Sequence, residues 1–553
     1  MKTGKGTDGV AGRHRLLSFC ILCLFGLYAA TAANDGDTER EKSDSKVILL
    51  HTDKLTFDQY RHPGAQILTG NVQFQHEGVL MYCDSACFYE ATNSFDAFGH
   101  VKMVQGDTLD LVGDVLLYNG LEQLARVRHN VVLTHRESKL YTDSLDYDRL
   151  YELGYFFEGG KLVDKDNVLT SDWGQYSPPT RQAVFNYNVK LVNPKFTLIS
   201  DTLNYNTRTS MAEIVGPSNI DSGDNHIYSE SGFYNTQTEE AILLDRSIVT
   251  NKGRKMVGDS LYYDSTTGIG EGFGNAVYTD EVNKNMLLGN YCFYNDSTGY
   301  AMATDSAVAI DYSQQDTMYM HADTFKLYTF YMGTDTMYRE VRGYHKVRSF
   351  RTDVQSVCDS LVFNTQDSCI TMYRDPIVWN AGQQVLGEVI KIYLNDSTIE
   401  RIHVIDQTLS VERIDSVHYN QVAGKEMISY FRDGEMHETW VQGNVYVDYY
   451  MFDDDSLMIG MNYTETSELK LFMKDRKMDK IWMPASTGVI YPIVMIPPSR
   501  LYLSNFAWFD YIRPQNKDDI FIWRPKKAGT ELKASYKHKA PLQSLDDIKK
   551  KKE

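Results

Sequence analysis

Four glycines alternate through Gly268, Gly270, Gly272 and Gly274 in the stretch GDSLYYDSTTGIGEGFGNAV, residues 258–277, a spacing that can cradle a dinucleotide pyrophosphate. That chemistry needs a strand before the glycines and a helix after them, because the helix N-terminus supplies the N–H donors. Here the glycines run into Asn275-Ala-Val-Tyr-Thr, which reads as strand, so the phosphate-loop reading fails on context. A recurring column of carboxylates raises a calcium site, but no copy has the Asp-x-Asp-x-Asp-Gly spacing of a calcium loop. Asp before Ser or Thr at the start of a strand instead accepts local backbone N–H groups in an Asx turn. None of the 14 histidines sits in a His-Glu-x-x-His pattern, and His226, His321 and His345 are isolated. No serine occupies a nucleophile elbow. His135-Arg-Glu-Ser-Lys139 comes nearest to a catalytic cluster and reads as a charged turn. The expectation is a protein that is not an enzyme, with no catalytic residues, metal or cofactor.

The elements that carry these residues repeat. Anchored on Asp259, matching positions fall at Asp53, Asp84, Asp114, Asp143, Asp172, Asp201, Glu230, Asn290, Asp323, Asp359 and Glu388, with a step of 29 residues five times running from Asp114 to Asp259. Such a period marks a repeat architecture. The residue before the anchor is always small, from Thr52 and Cys83 to Gly258 and Gly387. Two after it comes mostly leucine, as in Leu116, Leu145, Leu203 and Leu261; four after it comes an aromatic in all copies but those with Leu327 and Ile392, as in Tyr118, Tyr147, Tyr176, Tyr205, Tyr234, Tyr263 and Tyr294. Alternation with period two predicts that anchor, plus two and plus four share one face of a strand. A return strand follows, ending near Val or Ile, as in Asn130-Val131 and Asn188-Val189. The glycines at 268–274 fall in such a return and suggest bulges or close backbone approach.

Looser copies continue past residue 310 through Ile390-Lys-Ile-Tyr-Leu, Met427-Ile-Ser-Tyr-Phe and Leu469-Lys-Leu-Phe-Met. The expected fold is all-β, an elongated repeat jelly roll or solenoid of about fourteen two-strand units with no barrel. At two strands per unit and about 4.8 Å per strand the stack would reach roughly 130 Å at most. The aromatic column has two readings, a filled core or the lining of a long apolar trough open along one side.

Composition bounds the rest. Basic residues, an apolar run from Leu16 to Ala30 and Ala30-Thr31-Ala32 read as a cleavable secretory signal over residues 1–32. A linker would fill 33–46, regular repeats 47–310, looser repeats 311–483, and a Pro- and Trp-containing segment with a basic tail 484–553. Seven of the 13 prolines lie between Pro484 and Pro541, marking an end cap or partner-binding segment. Loss of the signal removes four basic residues and Asp8, moving the formal charge from −18 to −21. A surface so acidic repels nucleic acid. The five remaining cysteines are no disulfide framework; Cys83 and Cys87, four apart on a strand, would sit roughly 13 Å from each other, and Cys358 and Cys369 flank a hairpin where they could pair.

The recurring strand and return, Leu68-Thr-Gly-Asn-Val72, Thr142-Asp-Ser-Leu-Asp-Tyr-Asp148, Ser200-Asp-Thr-Leu-Asn-Tyr-Asn206 and Gly258-Asp-Ser-Leu-Tyr-Tyr-Asp264, resemble those of the OstA/LptA family of lipopolysaccharide-transport proteins, in its long OstA-like form. The likeness covers about residues 47–310 and, more weakly, continues to about 480. It implies a periplasmic, lipid-binding jelly roll at or near the outer membrane. Lipid A acyl chains would lie against Leu116, Tyr118, Leu145, Tyr147, Tyr176, Leu203, Tyr205, Tyr234, Leu261, Tyr263 and Tyr294. Implied partners are lipopolysaccharide, other transport proteins paired through edge strands, and further copies of the chain head to tail. The chain departs from the family in its larger number of copies and in lacking an outer-membrane barrel sequence. The competing reading is a carbohydrate-binding or carbohydrate-active β-solenoid, with a filled interior and a polar surface cleft.

Overall fold

The computed structural model describes residues 45–532, apart from 59, 381, 396, 397, 433, 434, 475 and 476. The signal segment and the lysines at 549–552 lie outside the described residues. Among those described there are 36 strands, five short 3-10 helices and no α-helix.

A single strand shows why the chain folds as it does. In Leu109–Asn119, Leu109, Leu111 and Gly113 point inward, and so do Leu116 and Tyr118. The alternation slips by one at Asp114, which is exposed. The partner strand Leu124–His135 slips at the same level, between Arg128 and Val131. There His129 and Asn130 take left-handed φ of 64° and 51°. Two consecutive left-handed residues form a bulge that bends the strand and turns its two halves into facing layers. The same double turn recurs at Gly70 and Asn71, Gly99 and His100, Tyr187 and Asn188, and Gly274 and Asn275. Successive long strands pair antiparallel across it, so the corners stack into a spine.

This spine corrects the expected place of the anchor. Period two would put Asp114 or Asp143 on the face that holds Leu116 or Leu145, yet both carboxylates sit outside at the bend. Their partners also differ from the expected Asx turn: each accepts from the Asn or His of the neighbouring strand's corner, with Asn130 Nδ2 on Asp114 Oδ2 at 2.7 Å, Asn188 Nδ2 on Asp172 Oδ2 at 2.7 Å and Asn275 Nδ2 on Asp259 Oδ2 at 3.1 Å. The small residue before the anchor faces the tight inside of the bend. A Cβ on Gly113 would lie 2.5 Å from Val127 Cγ1.

The expectation of no barrel is overturned. The strands Asn225–Asn235, Glu240–Leu244, Ser260–Asp264, Ile269–Asp280, Arg254–Val257 and Ile248–Asn251 each pair with the next, and the last pairs with the first, closing a six-stranded barrel. It closes because two long strands are cut at their corners, at residues 245–247 and 258–259, so the halves separate while the intact strands on either side bridge both layers. The all-β repeat architecture stands.

Apolar side chains from both layers meet in one cluster running from Val47 to Leu261, and a second continues from Ala276 to Leu469. A third lies on the outer face of the later strands, where Trp379, Leu409 and Val411 are covered by Leu503, Phe509 and Ile512 of the C-terminal segment. That segment runs as a strap along a row of cross-strand neighbours, Gln355, Trp379, Gln384, Val411, Gln421 and Asp448. Gln384 accepts from Phe509 N at 2.8 Å and donates to Ala507 O at 2.8 Å; Gln421 accepts from Leu503 N at 2.9 Å and donates to Leu501 O at 3.0 Å. The five described cysteines are free, Cys358 and Cys369 included.

Candidate functional site

The interior between the two layers is built from three columns. Two residues after each anchor, next to the spine, lie Leu116, Leu145, Leu203 and Leu261, all at most 2% exposed. Nearer the lips, three residues before the anchor, lie Met81, Leu111, Leu140, Leu169, Leu198 and Ile227, also buried. Four after the anchor come Tyr118, Tyr147, Tyr176, Tyr205 and Tyr234, all at most 4% exposed. Up to Tyr234, then, these side chains are packed in the interior. Each such burial contributes on the order of 1.5–3 kcal/mol.

The spine holds one side of this seam and polar latches close the other. Strands of one layer end at the lips in polar residues, and the tips of Tyr118, Tyr147, Tyr176 and Tyr205 reach them. Tyr118 Oη lies 2.6 Å from His76 Nδ1 and accepts from Arg149 Nη1 at 2.5 Å. Tyr176 Oη lies 2.8 Å from His135 Nδ1. Tyr205 donates to Asp164 Oδ2 at 2.8 Å and accepts from Asn167 Nδ2 at 2.9 Å. Burial drives the Tyr147 and Tyr205 phenols well above their usual pKa, and the Asp164 charge adds to the effect at Tyr205. Burial first, and then Arg149 and Arg136 respectively, lower the His76 and His135 values, which favours neutral rings at the latches.

Past the latched region the seam changes. Met256, Leu287 and Met320 continue one lip column and are only partly buried, and so are Tyr263 and Tyr294 of the other. The innermost positions become small: Gly270, Gly272, Ala276, Gly289, Ala303, Ala307 and Ala322. The glycine run thus lets the lip column pack in closely: a Cβ on Gly272 would lie 2.6 Å from Met256 Cε. Of the eleven expected lining residues, nine are buried and two, Tyr263 and Tyr294, are only partly buried.

Reading the sequence for the anchor missed the latch residues. His76, His135 and Asp164 stand eight residues before Asp84, Asp143 and Asp172, and the polar residues Asn193, Ser222 and Asn251 hold the same place before Asp201, Glu230 and Asp259, so the same period carried the signal. Among the described residues no group of three or more His, Cys, Asp or Glu could hold a metal ion.

Residues 44–201 match the family model described as OstA-like protein. A search of curated proteins finds no match. Among solved structures the chain is similar to LptH of Pseudomonas aeruginosa, the LptA homologous periplasmic component of the conserved lipopolysaccharide transport device. That likeness has 17% identity over 22% of this chain and 82% of that one, with a TM-score of 0.18, too low an overlap to bear on the fold. The stretch that holds the Tyr118, Tyr147 and Tyr176 latches is therefore an OstA-like region, and the likeness read from the repeats is shown for residues 44–201.

Proposed function

We propose that the chain is a lipid-carrying bridge of the lipopolysaccharide-transport type, working in the periplasm between the inner and outer membranes. The observation that carries this reading is the apolar seam between facing layers, one cluster from Val47 to Leu261 and a second from Ala276 to Leu469 that meet at Met256, where the lip residues Met256, Leu287 and Met320 and the tyrosines Tyr263 and Tyr294 are only partly buried. The OstA-like match over residues 44–201 supports it. Acyl chains would lodge first where the lip side chains are only partly buried, between Met256, Leu287 and Met320 on one side and Tyr263 and Tyr294 on the other. In the latched stretch, Leu116, Tyr118, Leu145, Tyr147, Tyr176, Leu203, Tyr205, Tyr234 and Leu261 would become the lining when the lips part. Families of this type bind and hand over lipid rather than transform it, so no catalytic step is assigned. Edge-strand pairing with neighbouring transport proteins, or with further copies of the chain, would extend the path.

The filled interior up to Leu261 is what the alternative reading, a carbohydrate-binding β-solenoid, would also show. Photocrosslinking separates the two. Photoreactive residues placed at Tyr205, Tyr234, Tyr263 and Tyr294 should give lipid A adducts, strongest at Tyr263 and Tyr294. Absence of adducts at all four positions, with glycan binding retained, would replace the lipid reading by the carbohydrate one.

A further inference from the structure

A cavity of about 360 Å³ lies between the two lips of the latched stretch. His135 and Arg136 line it from one lip, Glu152, Arg181 and Arg208 from the other, and Tyr147 of the seam joins the lining. The charged turn at residues 135–139 thus faces two further arginines from the opposite layer. Each arginine is set by a turn: Arg136 and Arg181 take left-handed φ of 56°, and Asn206 Oδ1 accepts from Arg208 N at 3.0 Å. Arg136 and Arg181 act together on the buried His135, both lowering its pKa after burial itself. None of the three guanidiniums makes an ion pair or side-chain hydrogen bond among the described residues. The one carboxylate in the lining, Glu152, accepts from Gln105 Nε2 at 2.6 Å.

Three cations around one cavity repel each other, and the chain carries a formal charge of −18, so acidic groups to neutralise them are abundant elsewhere in the sequence. Leaving these three unmatched suits an anion that comes and goes. Guanidinium forks match the oxygens of a phosphate better than a point charge does, and several of them can share one phosphate monoester.

Building on the lipid-carrying reading, we infer that Arg136, Arg181 and Arg208 form an anion site at the lips that takes a phosphate monoester, the head of an amphiphile whose acyl chains enter the seam beside Tyr147. The site would set register: a phosphate held at the lips fixes how deep the chains can sink. It would also select phosphorylated lipids over neutral ones.

The test uses the full mature chain, its Arg136→Gln/Arg181→Gln and Arg181→Gln/Arg208→Gln variants, and three probes: lipid A with both phosphates, the same lipid after phosphatase treatment, and inorganic phosphate. Arg136 and Arg208 are exposed and Arg181 half-buried, so the folds should persist, which circular dichroism checks. The expected result is that the parent binds phosphorylated lipid at least about tenfold more tightly than the dephosphorylated form, and that either variant erases the difference without moving the second affinity. Equal binding of both lipids by the parent, or a preference that the substitutions leave untouched, overturns the anion site while lipid carriage survives. Arginine-dependent binding of inorganic phosphate with no binding of either lipid upholds the anion site as one for free phosphate and sinks the lipid reading. No binding of any probe sinks both.

Discussion

Asn130 donates its side-chain amide to Asp114 at 2.7 Å across the outside of the bend, and the pair holds two neighbouring strands at the same corner. Asn71 with Asp53, Asn188 with Asp172 and Asn275 with Asp259 repeat it, and His100 takes the amide's place against Asp84 at 2.7 Å. The motif that first resembled a phosphate loop or a calcium ladder is a device for bending strands.

The corner explains one glycine in particular. Gly274 has φ of 69°, and a Cβ there would lie 2.5 Å from Asp259 Oδ2 and 2.9 Å from its Cβ. Gly274→Ala should cost roughly 2–4 kcal/mol, left-handed strain plus the clash. In an Asp259→Gly background the same change should cost only about 1 kcal/mol, since only strain remains. Urea unfolding of the four proteins measures both; equal costs in the two backgrounds would show that the carboxylate is not what demands glycine.

At the lips, Tyr205→Phe removes one partner of a carboxylate that is 1% exposed. Asp164 accepts from Tyr205 through Oδ2 and from Ser138 through Oδ1 at 2.8 Å. Leaving Oδ2 without its phenol should lower stability by about 1–3 kcal/mol. It should also loosen the latch, so that a fluorescent fatty-acid probe enters faster. Unchanged uptake with lowered stability would mean that the latch supports the fold and does not gate the seam.

Under the strap, Asp448 is buried with both oxygens unbonded, and burial raises its pKa to about 7, with Arg500 pulling the other way. A carboxyl raised in the folded state favours folding while it is protonated. That contribution is complete below the unfolded value near 3.8 and disappears as pH rises through about 7. Asp448→Asn should therefore stabilise the chain at pH 8 and change little at pH 4. Melting curves at the two pH values decide it; a stabilisation of the same size at both would point to a packing effect.

The strap itself rests on the glutamine clamps. Gln384→Leu deprives Phe509 N, Ala507 O and Trp379 Nε1 of a shared partner. Limited proteolysis should then cut between residues 496 and 532 at least tenfold faster, with the strand signal in circular dichroism retained. An unaltered cleavage rate would show that apolar contacts alone seat the strap.

Much of this was legible because it is periodic. The 29-residue step, the small residue before each anchor and the leucine and tyrosine columns are all one-dimensional signals, and each has a place in the structure. What was not legible depends on handedness. Nothing in Tyr187-Asn188 or Asp245-Arg246 announces two successive left-handed residues, so the slip that exposes the anchor and the cuts that close a barrel were invisible. Filling was hidden for another reason: a tyrosine column looks the same whether its hydroxyls face solvent or find His76, His135 and Asp164 across a gap. The strap was marked by its prolines, but its seat needed Gln355, Gln384 and Gln421 aligned in space.

The stacked corners also govern how this molecule can deform. Backbone ladders run from strand to strand within each layer, and the layers are joined at the spine by the chain itself. Swinging the layers apart about that spine, as a book opens on its sewn binding, breaks no ladder bond. Only side-chain latches and apolar contacts resist, so a greasy guest that replaces those contacts as it wedges in meets a soft hinge, stiffened wherever the strap braces one cover from outside.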